Sequence, residues 1–111
     1  MDMSKETALC GASYYEQKYY FNPEFNGLPK QIKDELQILC VTFTEKIGGV
    51  LTMFFDEDGN LNFRVQASDG DGRFDEIGSG LEVKKIQTEK LEFLEALELY
   101  YRTVFKAGLQ E

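Results

Sequence analysis

The residues able to do chemistry are few and scattered. The chain has no histidine, and its two cysteines, Cys10 and Cys40, stand far apart with no CxxC. A cysteine nucleophile needs a neighbouring base to hold it as thiolate, and imidazole is not available. Cys40 falls beside the apolar stripe of an expected helix, where a thiol is usually a buried, inert apolar group. The same shortage argues against a structural zinc site. Ser79 sits between Gly78 and Gly80. A nucleophile elbow needs G-x-S-x-G after a strand, so this segment reads as a flexible joint. There is no phosphate-cradling loop and no dinucleotide fingerprint.

Carboxylates are abundant. Asp56-Glu57-Asp58-Gly59-Asn60 has the flavour of a calcium loop. Its glycine comes at the fourth position instead of the sixth, and Ala67 stands at the twelfth, where a bidentate Glu is required. Asp69-Gly70-Asp71-Gly72 fails in the same way, with Gly80 at the twelfth position. Asp and Gly are also what tight turns select for backbone reasons, so both segments read as turns. Asp75-Glu76, Asp56 with Asp58, and the series Glu89, Glu92, Glu95, Glu98 remain as acid–base candidates, as does Asp75 close to Arg73. Such work needs a cleft and a shifted pKa, and acids at i,i+3 beside an apolar arc are the pattern of a solvated face. The expectation is no catalytic residue, no metal and no cofactor, in a chain that leans away from being an enzyme.

The tyrosines are more suggestive. Tyr14, Tyr15, Tyr19 and Tyr20 crowd one short segment. Tyrosine anchors partners at interface centres. It also covers a domain's own core with its hydroxyl at the water boundary, which is the commoner use. Val50 and Phe54 join these four as candidate partner-binding residues, for a reason that comes from the elements carrying them.

Those elements follow from periodicity. With 111 residues, 42% hydrophobic and 14% aromatic, the chain is long enough for one domain that buries about two-thirds of its unfolded surface. Leu9, Ala12, Tyr15 and Tyr19 have helical spacing and predict a helix over 9–21, with a strand over 18–21 as the alternative. Asn22-Pro23 signals a turn, and Phe25 tucks back as an anchor. Pro29 opens a helix whose stripe is Ile32, Leu36, Leu39, Phe43 and Ile47. Gly48-Gly49 stops it. Residues 49–68 predict a β-hairpin about Asp58-Gly59. In it Leu61, Phe63, Val65 and Ala67 face one way, while Leu51, Met53 and Phe55 share a core face. Val50 and Phe54 are left on the opposite side, which needs covering.

Phe74, Ile77 and Leu81 predict a helix over 75–86. The clearest helix spans 88–106, with Thr88 as its N-cap and Glu98–Arg102 as an i,i+4 pair. Lys106 lies at its negative end, and Gly108 closes it. Its apolar arc of Phe93, Leu94, Ala96, Leu97, Tyr100, Tyr101, Val104 and Phe105 is wider than one neighbour can cover. The reading is an α+β fold, a β-hairpin with room for a third strand against three to four helices, in the order α-α-β-β-α-α. Residues 1–8 form a flexible N-terminus, 9–107 a single domain and 108–111 a tail.

The net charge of −8 repels phosphate backbones and anionic lipid, so neither nucleic acid nor membrane is an expected partner. The N-terminus has no apolar signal region. No run approaches the length of a membrane span. Two isolated cysteines fit a reducing, cytoplasmic setting.

Several phrases carry a resemblance: YYEQKYYFNPEF, IKDELQILCV, GGVLTMFFDEDGNL and FDEIGSGLEVKKIQTEKLEFLEALELYY. From about Cys10 to Phe105 the chain resembles a family of small bacterial proteins of unknown function. The resemblance implies a single short domain, bacterial and cytosolic, and carries no activity or ligand with it. Three functional expectations remain. The first is a non-enzymatic binding or regulatory domain that self-associates as a homodimer and so buries its surplus apolar surface. The second is an acidic inhibitor or immunity-type protein that caps a basic enzyme, another protein as partner. The third is a carboxylate-based or metal-dependent enzyme.

Overall fold

Four segments of the chain pleat and pair. In a computed structural model that describes residues 6–105, β1 (Thr7–Ser13) and β2 (Lys18–Phe21) form one hairpin, and β3 (Val50–Phe55) and β4 (Leu61–Gln66) a second. The sheet is antiparallel with order β2-β1-β3-β4, so the two hairpins join along β1 and β3. A 3-10 turn (Pro23–Phe25) and α1 (Lys30–Ile47) connect them. After β4 come α2 (Glu76–Glu89) and α3 (Leu91–Tyr100), which runs into a π-helical turn, Tyr101–Phe105.

The α+β class holds, but the order is β-β-α-β-β-α-α. The helix expected over 9–21 is a hairpin, with the alternative strand at 18–21 present as β2. A β-bulge explains the deceptive spacing. The β1–β3 register shifts between Ala8 and Cys10, so Leu9 is an extra residue and Leu9, Cys10 and Ala12 are all buried. A bulge breaks the period of two by which a strand is read. The turn gives no warning either: its left-handed residue is Gln17, at φ 52°, where Gly or Asn is the usual signal. Thr7 and Ala8 pair with Phe55 and Phe54, so the expected flexible start over 1–8 does not include them. Residues 1–5, Lys106, Gly108 and the 108–111 tail lie outside the described residues.

α1 forms as its stripe predicts. Leu36, Leu39, Cys40, Phe43 and Ile47 are buried and cover one face of the sheet, over β1, β2 and β3. Pro29 stands just before the first helical residue, and its carbonyl accepts from Ile32 and Lys33. Gly48 and Gly49 end the helix at φ 92° and 74°. At Gly49 a Cβ would stand 2.6 Å from the Gln66 carbonyl, so only glycine lets the chain turn into β3 this tightly.

The helix expected over 88–106 is divided. Thr88 lies inside the last turn of α2, and the backbone leaves helical values at Lys90, φ −115° and ψ 30°. Hydrogen bonds still bridge the break, Lys90 N to Ile86 O and Leu94 N to Lys90 O, both 2.9 Å. With no Gly or Pro there, periodicity runs on through it. Glu98 and Arg102 both reach the second hairpin: Glu98 accepts from the Leu61 N–H at 2.7 Å, and Arg102 donates to Asn60 at 2.9 Å. α2 starts at Asp75, whose carboxylate accepts the Gly78 N–H at 2.8 Å. Ser79 is thus buried inside a helix and is no flexible joint.

One contiguous core results. Its end away from the β1–β2 turn is aromatic. Phe25 stacks on Phe105 at 4.4 Å, and Phe55 on Tyr101 at 4.2 Å, both nearly parallel. Phe25, fully buried, is the anchor its position after Asn22-Pro23 suggested. Urea unfolding of Phe25→Ala is expected to show a loss of about 3–5 kcal/mol, whereas Leu99→Ala, at an exposed position, stays within about 0.5 kcal/mol of the parent. Equal losses at the two positions would contradict this core.

Candidate functional site

The period of two in β2 sends adjacent tyrosines to opposite faces of the sheet. Tyr19 pairs with Ala12 on the α1 side, and Tyr20 pairs with Gly11 on the other. Tyr14 and Tyr15 lie in the turn between β1 and β2. The six candidate partner-binding residues therefore fall in three environments.

The first is a clasp. Tyr15 donates to Asp71 Oδ2 at 2.5 Å and accepts from the Ser68 N–H at 2.9 Å. Arg73 donates to the Tyr14 hydroxyl and lies over its ring, 5.1 Å from the centroid. Tyr14 and Tyr15 thus tie the β1–β2 turn to the loop before α2. This is work inside the chain, and it uses the groups a partner would otherwise meet.

The second is the helix-free face of the sheet. A shallow concavity of about 320 Å³ lies there, lined by Ala8, Gly11, Tyr20, Asn22, Val50 and Thr52 among others. Its floor is Gly11, where a Cβ would stand 2.5 Å from the Leu51 carbonyl. Tyr20 rims it, with its hydroxyl donating to Glu16, whose carboxylate pushes the phenol above its usual range. Val50 is half-buried. Phe54 is only 9% exposed: the Arg64 guanidinium lies over its ring at 4.2 Å and is itself paired with Glu6. A cation–π contact of this kind is worth about 0.5–1 kcal/mol. The hairpin face expected to need a cover is covered, at Phe54, by its own chain.

The third environment is inside. Cys10 on β1, Met53 opposite it on β3 and Cys40 on α1 bring three sulfurs together: Cys10–Cys40 at 3.7 Å, Cys10–Met53 at 3.8 Å and Cys40–Met53 at 3.7 Å. All three residues are buried, and both cysteines are free thiols. The Tyr19 hydroxyl is buried beside them with no hydrogen-bond partner of ordinary geometry. Burial, and then the neighbouring Cys10 and Cys40, push its pKa well up. The Cys40 thiol is pushed up by its contact with Cys10 and by burial.

The acidic loops are turns. Asp56 accepts from the backbone of Asp58 and Asn60 and from the Asn62 side chain, and these bonds, that from Asn60 first, hold its carboxyl low. Asp75 is a helix cap. Among the described residues no three of His, Cys, Asp and Glu converge.

Sequence reasoning passed over one surface. The spacing that marks α2, Phe74-Ile77-Leu81, is not the face α2 buries. Ser79 and Ile86 are buried, while Ile77 and Leu81 stand 79% and 66% exposed. The available signal was Ser79–Val83–Ile86, one polar and two apolar residues at helical spacing.

A family model described as a family of unknown function, DUF6145, matches residues 6–109, and the chain belongs to that family. No curated protein and no solved structure matches it. Among the described residues no helix is long and apolar enough to cross a membrane.

The clasp has a pH signature. The Tyr15 hydroxyl first, then the Arg73 backbone N–H, hold the Asp71 carboxyl below its usual range. Its folded value thus lies below the unfolded one of about 3.9. The contribution to stability is present above that pH and is lost as pH falls through the folded value. In Tyr15→Phe, NMR titration of the Asp71 carboxyl is expected to move up toward the ordinary value, and amides of residues 68–73 to exchange faster. An unmoved titration would count against the clasp.

Proposed function

We propose that this member of a family of unknown function is a non-enzymatic interaction domain of the cytosol that pairs with a second copy of itself through the outward face of α2. The observation that carries the reading is the exposure of Ile77 and Leu81, one helical turn apart and opposite the buried Ser79 and Ile86. Single exposed aliphatics are ordinary. Here two share one turn, and Gly80 lies beside them with nothing within 4 Å of where its Cβ would be. That opening lets a second helix backbone come close.

Charge supplies the orientation. The start of α2 is acidic, with the cap Asp75 and Glu76, and the turn after Leu81 carries Lys84 and Lys85, between Glu82 and Glu89. A twofold axis at Leu81 lays a second α2 antiparallel. Leu81 then meets its own copy, and the acidic turn of each chain lies beside the basic turn of the other. A contact of this self-complementary kind is how most homodimers close, and it buries apolar area that water otherwise wets.

Sedimentation equilibrium at physiological salt is expected to show a dimer in the micromolar range. Leu81→Glu should leave a folded monomer by circular dichroism. Lys84→Glu should weaken the dimer, and Glu76→Lys in the same chain should restore it. A wild-type protein that stays monomeric throughout that range overturns the proposal.

A further inference from the structure

The sulfur cluster brings three soft donors into mutual contact at the centre of the core. Three donors from three different elements form a nearly equilateral triangle with sides of 3.7, 3.8 and 3.7 Å. The centre of such a triangle lies about 2.2 Å from each sulfur, close to the Zn–S bond length of about 2.3 Å. Two thiols and a thioether are soft donors, and softness selects Cu(I) over the harder divalent ions. We propose that Cys10, Cys40 and Met53 form a three-coordinate site for a soft monovalent cation, Cu(I) in class. Zn(II) is a poor fit, because its structural sites take four ligands and the described residues offer no fourth of the kind it uses.

Two further features suit such an ion. The Tyr19 hydroxyl, buried against Cys10 with no hydrogen bond of ordinary geometry, becomes a donor to a cysteine thiolate, and a polar atom so poorly satisfied in a core calls for this kind of explanation. Access is at hand as well. A groove of about 250 Å³ between the β1–β2 end of the sheet and α1 is lined by Ser13, Gln17, Tyr19, Gln37, Thr44 and Glu45 among others. Tyr19 belongs to both the groove and the cluster, so its side chain stands between solvent and the sulfurs. On binding, each thiol gives its proton to solvent and its electron pair to the metal, and Met53 gives an electron pair alone. The neutral cluster becomes a complex of charge −1, which the Tyr19 O–H then solvates.

The test uses the reduced full-length chain under anaerobic conditions. Cu(I) is supplied from a chromogenic competitor chelate, with Ag(I) as a redox-inert probe and Zn(II) as comparison. The expected result is one Cu(I) or Ag(I) per chain, a sulfur-to-metal charge-transfer band, and a rise in melting temperature with added Ag(I), as for any ligand bound only by the folded state. Cys10→Ala and Cys40→Ala should abolish binding. Met53→Leu, which conserves volume and keeps the fold, should weaken it at least about tenfold, and Tyr19→Phe by a smaller factor. Absence of stoichiometric binding, binding that survives Cys10→Ala or Cys40→Ala, or undiminished affinity in folded Met53→Leu would each overturn the proposal. The dimer of the preceding section plays no part in it.

Discussion

The fold depends on keeping one face of a four-stranded sheet dry. A hairpin is marginal alone, and here the two gain stability by joining along β1 and β3 and by lying under α1, with α3 packed on β4 as well. The join constrains both strands. Gly11 must be glycine, because the Leu51 carbonyl occupies the place of a Cβ. The bulge at Leu9 puts two successive residues, Leu9 and Cys10, into the same dry layer. Cys10 and Met53 become neighbours because they are register partners, and Cys40 is laid on them by the stripe of α1. The sulfur cluster is thus a product of the seam that holds the domain together.

What could be read from the chain, and what could not, follows from how local each signal is. α1 and the β3–β4 hairpin were legible because period, cap and stop agreed within a few residues: the Ile32-to-Ile47 stripe, Gly48-Gly49 and Asp58-Gly59. β1 was not legible, because its hydrophobic pattern answers to a bulge whose cause is the partner strand β3. Its turn hides its left-handed residue in Gln17. The break at Lys90 was invisible for the opposite reason. Nothing in the local sequence forbids a continuous helix, and Lys90 is tied instead to Glu35 of α1 at 3.0 Å, a tertiary contact that no window of sequence contains.

The candidate site divides on the same line. That Tyr14, Tyr15, Tyr19 and Tyr20 are special could be seen from their crowding. That they serve a clasp, a buried cluster and an open concavity could not be, since a one-residue step in a strand changes the face. Phe54 looked uncovered because Arg64, which shields it, lies on another strand. Ile77 and Leu81 looked like a helix's inner stripe because apolar residues at i,i+4 normally are. Which side of α2 is inside is decided by its packing on α1 and α3.

α2 is also the helix least held by the core. Only Ser79 and Ile86 of its fourteen residues are buried, and one ion pair, Lys46–Glu82 at 3.0 Å, links it to α1. That pair is partly exposed and worth little by itself. Segments with few buried contacts open at low free energy. A surface that covers Ile77 and Leu81 would therefore supply burial that α2 lacks, and pairing would steady the helix as well as join two chains. The sulfur cluster lies at the opposite extreme, among buried residues of the core, where a bound ion would stiffen the β1–β3–α1 seam and leave α2 unchanged. The two proposals thus act on separate parts of one molecule, the loosely held outer helix and the tightly held centre.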